Sequence, residues 1–214
     1  MSRIVQSRCP TVPPPRPSGS NHFARPLRRL LARARPIALA ALTIAASVWP
    51  DVARSETSRE YDLKAVLLFH LTQFVEWPAS SFSSPEAPFV IGILGHDPFG
   101  PVLDRIVQTE KQGTRRIVVK RFEEIDSVKG CQILFIDDWA TRDVSRIAAL
   151  LRGSPVLTVG DFPSFIRRGG MLQLLTGRDE KVEIQINRAA ATAGGLTVSA
   201  RLLRVATVVP ATEN

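Results

Sequence analysis

Apolar positions first recur at helical spacing near residue 60. Leu63, Val66, Leu67, His70 and Phe74 form a stripe that Leu71 and Val75 widen. The pattern predicts a helix over residues 60–77 with His70 on its inner face, stopped by Pro78 because proline disfavours helix in the residue before it. Residues 89–94 are apolar without a break and end at Gly95, the signature of a strand buried on both faces. A helix over 98–107 comes next, with Asp97 as its cap and Pro98 in its first turn. Ile117, Val118 and Val119 predict a strand after the turn-like Lys111-Gln112-Gly113, and residues 133–136 predict another buried one. Thr141 is then expected to cap a helix with Val144, Ile147, Ala148 and Leu151 inward, ended by Gly153. Residues 155–159 give a fourth strand.

Strand and helix alternate to this point, which predicts a largely parallel sheet with helices on both faces. The pattern then changes. Residues 171–175 and 182–186 are short strands, the second alternating Val182, Ile184 and Ile186 with Glu183 and Gln185. The short connection through Gly177 allows an antiparallel hairpin and leaves no room for a crossover. Residues 189–208 read as helical, broken at Gly194-Gly195, with Leu202, Val205 and Val209 inward. The expected fold class is α/β: a single-domain three-layer sandwich with a mostly parallel central sheet, a C-terminal antiparallel hairpin and helices on both faces.

The formal net charge of +8 invites a nucleic-acid reading. Its distribution removes it. Residues 1–36 hold eight arginines and no acid, which leaves 20 of the 28 basic residues facing all 20 acidic ones. The remainder is neutral, without the uncompensated positive field that a phosphate backbone requires, so no nucleic-acid partner is expected. After the Arg- and Pro-rich run, residues 37–49 are thirteen uncharged, mostly apolar positions, short of the roughly twenty needed to span a bilayer. This is the pattern of a secretory signal. The expected organisation is a signal peptide with a long basic n-region over 1–53, cleaved near Ala53 or earlier near Ser47. After it are expected a flexible lead-in over 54–59, an α/β domain over 60–209 and a tail over 210–214. The alternative is an uncleaved anchor at the inner membrane, whose helical length Pro36 and Pro50 limit. Either way the domain is expected in the periplasm. Cleavage would remove Cys9 and His22 and leave Cys131 alone, beside an apolar run, buried and inert.

Several segments together resemble one family. Glu60-Tyr61-Asp62-Leu63-Lys64-Ala65 and Phe74-Val75-Glu76-Trp77-Pro78 come first. Ile93-Leu94-Gly95-His96-Asp97-Pro98-Phe99-Gly100, Cys131-Gln132-Ile133-Leu134-Phe135-Ile136 and Pro155-Val156-Leu157-Thr158-Val159 come next, and Gly169-Gly170-Met171, Ile186-Asn187 and Leu202-Leu203-Arg204-Val205-Ala206 close the series. In order and spacing they are similar to the YfiR-like periplasmic proteins. The resemblance implies an α/β sandwich that binds the periplasmic domain of an inner-membrane sensor or diguanylate cyclase and holds that enzyme inactive. It also implies an outer-membrane lipoprotein that sequesters the repressor, and a homodimer. Intramolecular disulfides known in the family have no counterpart here, since one cysteine cannot form one.

The residues offer two groups of candidates. Gly95, His96 and Asp97 come after a strand and open a helix, where backbone N–H groups can reach a phosphate. The G-x-G-x-x-G spacing is absent, however, and Pro98 lacks an N–H, so a tight turn capped by Asp97 is the other reading. Asp137 and Asp138 end a strand, where they could bind a cation, work as acid and base, or cap the next helix or its loop. These five residues form the candidate ligand loop. The candidate partner surface is the connection 161–170, with Phe162, Phe165, Arg167 and Arg168, joined by Trp139; aromatics and arginine favour interfaces. The alternative is that Phe162 and Phe165 plug the core edge. Trp77 is a further exposed-aromatic candidate. His70 and His96 make no metal set, and G-x-S-x-G, C-x-x-C and H-E-x-x-H are all missing. Neither a catalytic residue, a metal nor a cofactor is expected. The leading expectation is a non-enzymatic regulator. Its rival is a solute-binding module with an apolar pocket near Gly95–Phe99 and Asp137–Trp139.

N-terminal sequencing of the protein from a periplasmic fraction is expected to return a chain starting between residues 48 and 54. A soluble chain that still begins before residue 37 would overturn the signal-peptide reading.

Overall fold

The computed structural model describes residues 49–128, 130–177, 179 and 181–210. Residues 1–48, with most of the expected signal peptide, and the tail 211–214 lie outside them. A long helix α1 (Trp49–Phe74) leads into the two-residue strand β1 (Val75–Glu76). Then come β2 (Phe89–Leu94), α2 (Pro101–Thr109), β3 (Lys111–Gln112), β4 (Arg115–Phe122) and β5 (Ile133–Ile136). A six-residue 3-10 segment (Asp138–Asp143) runs into α3 (Val144–Leu150), and after it stand β6 (Leu157–Gly160), a 3-10 turn (Ile166–Arg168), β7 (Leu172–Thr176) and β8 (Val182–Ile186). The chain closes with α4 (Arg188–Ala193), β9 (Thr197–Val198), α5 (Ala200–Val205) and β10 (Thr207–Val208).

The main sheet has the order β10-β8-β7-β6-β5-β2-β4-β3. From β4 to β7 every neighbouring pair is parallel. The β7–β8 hairpin is antiparallel, with Leu174 opposite Ile184. The chain leaves β2 for β4 on one side and returns past it to β5 on the other, so the winding reverses between β2 and β5. Side chains of the parallel strands alternate between two cores. Phe89, Ile91, Ile93, Ile133, Phe135 and Val159 pack under α1, α2, α4 and α5 through Leu68, Leu103, Ala191 and Leu202. Val90, Leu94, Leu134 and Ile136 pack under α3 through Val144 and Ile147. The three-layer α/β sandwich read from the pattern is therefore the fold found, with the antiparallel hairpin where it was expected. Cys131 is buried in the second core, and burial pushes its thiol up to about 11.

Several expectations are corrected. The sheet-facing side of α1 is Lys64, Ala65, Leu68, Phe69, Leu71 and Thr72, while Leu63, Val66 and His70 point outward. The apolar stripe misled because two polar residues lie on the buried side. The helix ends at Phe74, where β1 pairs with β9. It also begins at Trp49, so the expected lead-in 54–59 is helical; no proline or glycine interrupts residues 51–77. α2 starts at Pro101, three residues late, because Asp97 accepts the N–H groups of Phe99 and Gly100 in a separate turn. Gly100, at φ +50, then begins the helix. Thr141 lies inside the 3-10 segment, which Asp137 caps. Residues 189–208 are two short helices interleaved with β9 and β10, and Val205 is 69% exposed. Trp77 is not free for a partner: its indole N–H donates to the Gln132 carbonyl and its ring meets Phe89 edge-on.

Phe162 and Phe165 are not partner contacts but follow the alternative reading: both are inside the second core and touch each other edge-to-face. Phe165 is fully buried because two glycines make room: a Cβ at Gly160 or Gly170 would overlap its ring. Phe165→Ala is expected to lower stability by about 3–5 kcal/mol, the cost of a large aromatic cavity. Gly170→Ala is expected to destabilise by overpacking, about 1–3 kcal/mol. Urea denaturation reads both, and an unchanged midpoint for Phe165→Ala would contradict this packing.

Candidate functional site

The ends of the parallel strands bring the candidate ligand residues together. Gly95 succeeds β2 with φ +95, and its N–H donates to the Phe122 carbonyl at 3.1 Å. A Cβ at Gly95 would stand 3.2 Å from that of Asp137, so glycine is what lets the two strand-end loops touch. Asp137, just past β5, accepts the Trp139 N–H and lies 3.2 Å from His96 Nδ1. The meeting point is where the winding of the sheet reverses, the place where open α/β sheets form ligand crevices.

Each acid there already has a partner. Asp97 accepts two backbone N–H groups through Oδ1, and Arg121 Nε donates to its Oδ2 at 2.7 Å while Nη2 pairs with Asp104. Asp137 is a cap. Asp138 opens the 3-10 segment from an exposed position and is also engaged. Aromatic rings pack beneath the crevice: Phe99 is buried, edge-on against Phe135 at 4.7 Å and against Tyr61 at 5.9 Å. The solute-binding reading expected an apolar pocket near these loops, and Phe99, the last residue of the first, is turned into the core against Phe135 and Tyr61. Among the described residues no three His, Cys, Asp or Glu side chains come together in a metal-holding set.

Below this rim lies a group the pattern did not single out. Lys64, 2% exposed, donates to Asp161 Oδ2 at 3.0 Å and pairs with Glu60 one helical turn back. Its ammonium also sits 4.8 Å from the Tyr61 ring centroid. Asp161 stands directly after β6, so the contact ties α1 to the strand ends. Burial pushes the Tyr61 phenol well above its ordinary value, and the negative charge of Asp161 adds to the effect, so it stays neutral. Burial also raises the Glu60 carboxyl, but hydrogen bonds from Lys64 and Thr176 outweigh it and leave the group lowered. The available signal was a Glu–Lys pair at i,i+4 where the apolar stripe of the helix begins.

What remains exposed at this end is Trp139, at 64%, with the His96 ring against it edge-on at 6.0 Å. Arg167 and Arg168 are exposed too, but on the 3-10 turn, where they line a groove with α3 rather than joining Trp139. Asn187 caps α4 by accepting the Ala190 N–H.

A family model described as YfiR/HmsC-like matches residues 61–207. The chain belongs to the YfiR/HmsC-like family. The matched residues run from Tyr61 in α1 to Thr207 in β10, so they include both strand-end loops and the Lys64 pair. A comparison with curated proteins finds no match. No helix among the described residues is long and apolar enough to cross a membrane.

In this YfiR/HmsC-like protein the buried pair is expected to govern stability. Lys64→Met leaves Asp161 buried without its cation and should cost about 3–5 kcal/mol, whereas Lys64→Met with Asp161→Leu should cost less. The lowered Glu60 group stabilises fully above its ordinary value of 4.5 and loses that contribution as pH falls through the lower folded value. Glu60→Gln should therefore flatten part of the acid limb of stability against pH. Urea midpoints across that limb test both; a double variant no better than Lys64→Met would sink the pairing argument.

Proposed function

We propose that this protein is a non-enzymatic periplasmic regulator. It binds the periplasmic domain of an inner-membrane signalling protein, represses a diguanylate cyclase and so lowers cyclic di-GMP. The observation that carries the reading is Trp139: a large, exposed indole flanked by His96, on a rim whose carboxylates are already paired. Such a rim presents an anchor to another protein, since a buried tryptophan is among the most productive interface residues. Family membership supports the compartment and the regulatory role. Regulation works by occupancy: the protein must bind one conformation of the sensor more tightly than the other. An outer-membrane lipoprotein that competes for the same surface would release the sensor. A homodimer is compatible with this scheme.

Pull-down from membrane extracts, with cyclic di-GMP measured in a deletion strain, tests the proposal. The expected results are capture of a membrane sensor and raised cyclic di-GMP in the deletion. Trp139→Ala should weaken capture by about 30-fold or more, the scale of a hot-spot loss, with no change in melting temperature. Unchanged cyclic di-GMP together with no membrane partner would overturn the reading.

A further inference from the structure

We propose that the groove between α3, the Ile166–Arg168 turn and α4 binds a small organic anion, one with a phosphate or carboxylate head group on a compact apolar body. The groove has a volume of about 470 Å³, within the range of small-molecule sites. Arg152 and Arg167 line it from exposed positions, and no Asp or Glu is among its described lining residues. Arg168 stands beside them and is already engaged. Two other arginines have acids close by: Arg121 is held by Asp97 and Asp104, and Arg146 lies against Asp126. A guanidinium fork matches the oxygens of phosphate and carboxylate, and two arginines over a groove lined by no acid favour an anion from solvent.

The remaining lining suits such a ligand. Thr158 and Asn187 are buried, and each already accepts a backbone N–H, from Met171 at 3.0 Å and from Ala190 at 2.9 Å. Each still has a donor to offer, the Thr158 hydroxyl hydrogen and the Asn187 amide N–H groups. Small residues make up much of the wall, beside Leu151, Ile166 and Met171. A Cβ at Gly169 would lie 2.9 Å from that of Ala148, and one at Gly194 would lie 3.1 Å from Met171 Cε, so side chains at either position would intrude on the wall. Positive charge at the mouth, donors below and a small-residue apolar wall together define the ligand class. The inference stands on the groove and does not depend on the identity of any protein partner.

Calorimetric titration and thermal-shift measurements on the exported protein test it, with phenyl phosphate, inorganic phosphate and phenol as probes. Saturable binding of phenyl phosphate at millimolar concentration or tighter is expected, with weaker binding of inorganic phosphate and none of phenol. Arg152→Gln with Arg167→Gln should weaken phenyl phosphate at least tenfold while the unliganded melting temperature holds. If that temperature falls, Ala193→Trp decides, because it fills the groove from an exposed position and keeps the arginines; it should abolish binding. No saturable binding of phenyl phosphate, equal affinity in the variant that folds, or phenol binding as tightly as phenyl phosphate would each overturn the assignment.

Discussion

A lysine ammonium sealed from water needs counter-charge, because an isolated buried cation costs several kcal/mol even after the protein relaxes. Lys64 finds that charge in Asp161, one residue beyond β6, and in Glu60, one turn earlier on its own helix. The requirement fixes the rotation of α1. With Lys64 aimed at the strand ends, Ala65, Leu68 and Phe69 fall on the sheet, and Leu63 and Val66 fall outside. It fixes the height of the helix as well, since Asp161 can be reached only when residue 64 stands over the end of β6. Tyr61 is then placed against Phe99, and Phe99 in turn over Phe135. The closed strand-end rim is a consequence of where one cation has to go.

The same residue explains why the helix was legible in its existence and not in its facing. The parallel strands announce themselves as unbroken apolar runs, and the residues inside them gave the sheet, its layers and the hairpin. An apolar stripe on a helix assumes that polar residues face water. Lys64 and Thr72 violate that assumption, and the stripe lies roughly a third of a turn away from the buried side. The two-residue strands β1, β9 and β10 have no period to read. Phe162 and Phe165 illustrate a further limit. In sequence they stand in a loop with two arginines and two glycines. Only the fold reveals that Gly160 and Gly170 flank the ring of Phe165 and make it core. The strand-end residues fared better: Gly95, His96, Asp97 and Asp137 were chosen because they come after buried strands, and strand order brings β2 and β5 side by side. Of the readings open for them it is the capping one that the structure bears out: Asp97 holds Phe99, Gly100 and Arg121, and Asp137 holds Trp139 and His96.

That internal pairing separates two chemistries that α/β sheets often combine. At a winding reversal the loops after two neighbouring strands diverge and leave a crevice for a ligand. Here aromatic rings pack beneath the crevice and capping bonds absorb the carboxylates Asp97 and Asp137, so the surface presents an indole and an imidazole rather than a set of converging donors. Contact area of that kind suits a folded partner, which supplies its own shape, better than a small molecule, which needs enclosure.

Enclosure is found on the hairpin side instead, and one stretch of chain joins the two places. Residues 161–170 begin with the acid that holds Lys64, pass through two core phenylalanines and end with the arginines and glycine that line the groove. Phe165 is the fixed point of this stretch: its carbonyl accepts the Gly170 N–H at 3.1 Å and that of Arg168 at 3.2 Å, while its ring is locked between glycines. A close-packed ring in a glycine slot has few alternative positions, because protein interiors resist even methylene-sized changes. The slot therefore holds the arginines at a set distance from the sheet, and the same rigidity holds Asp161 at the end of β6. Groove and rim are built on one anchored turn, and any substitution that loosens Phe165 must disturb both.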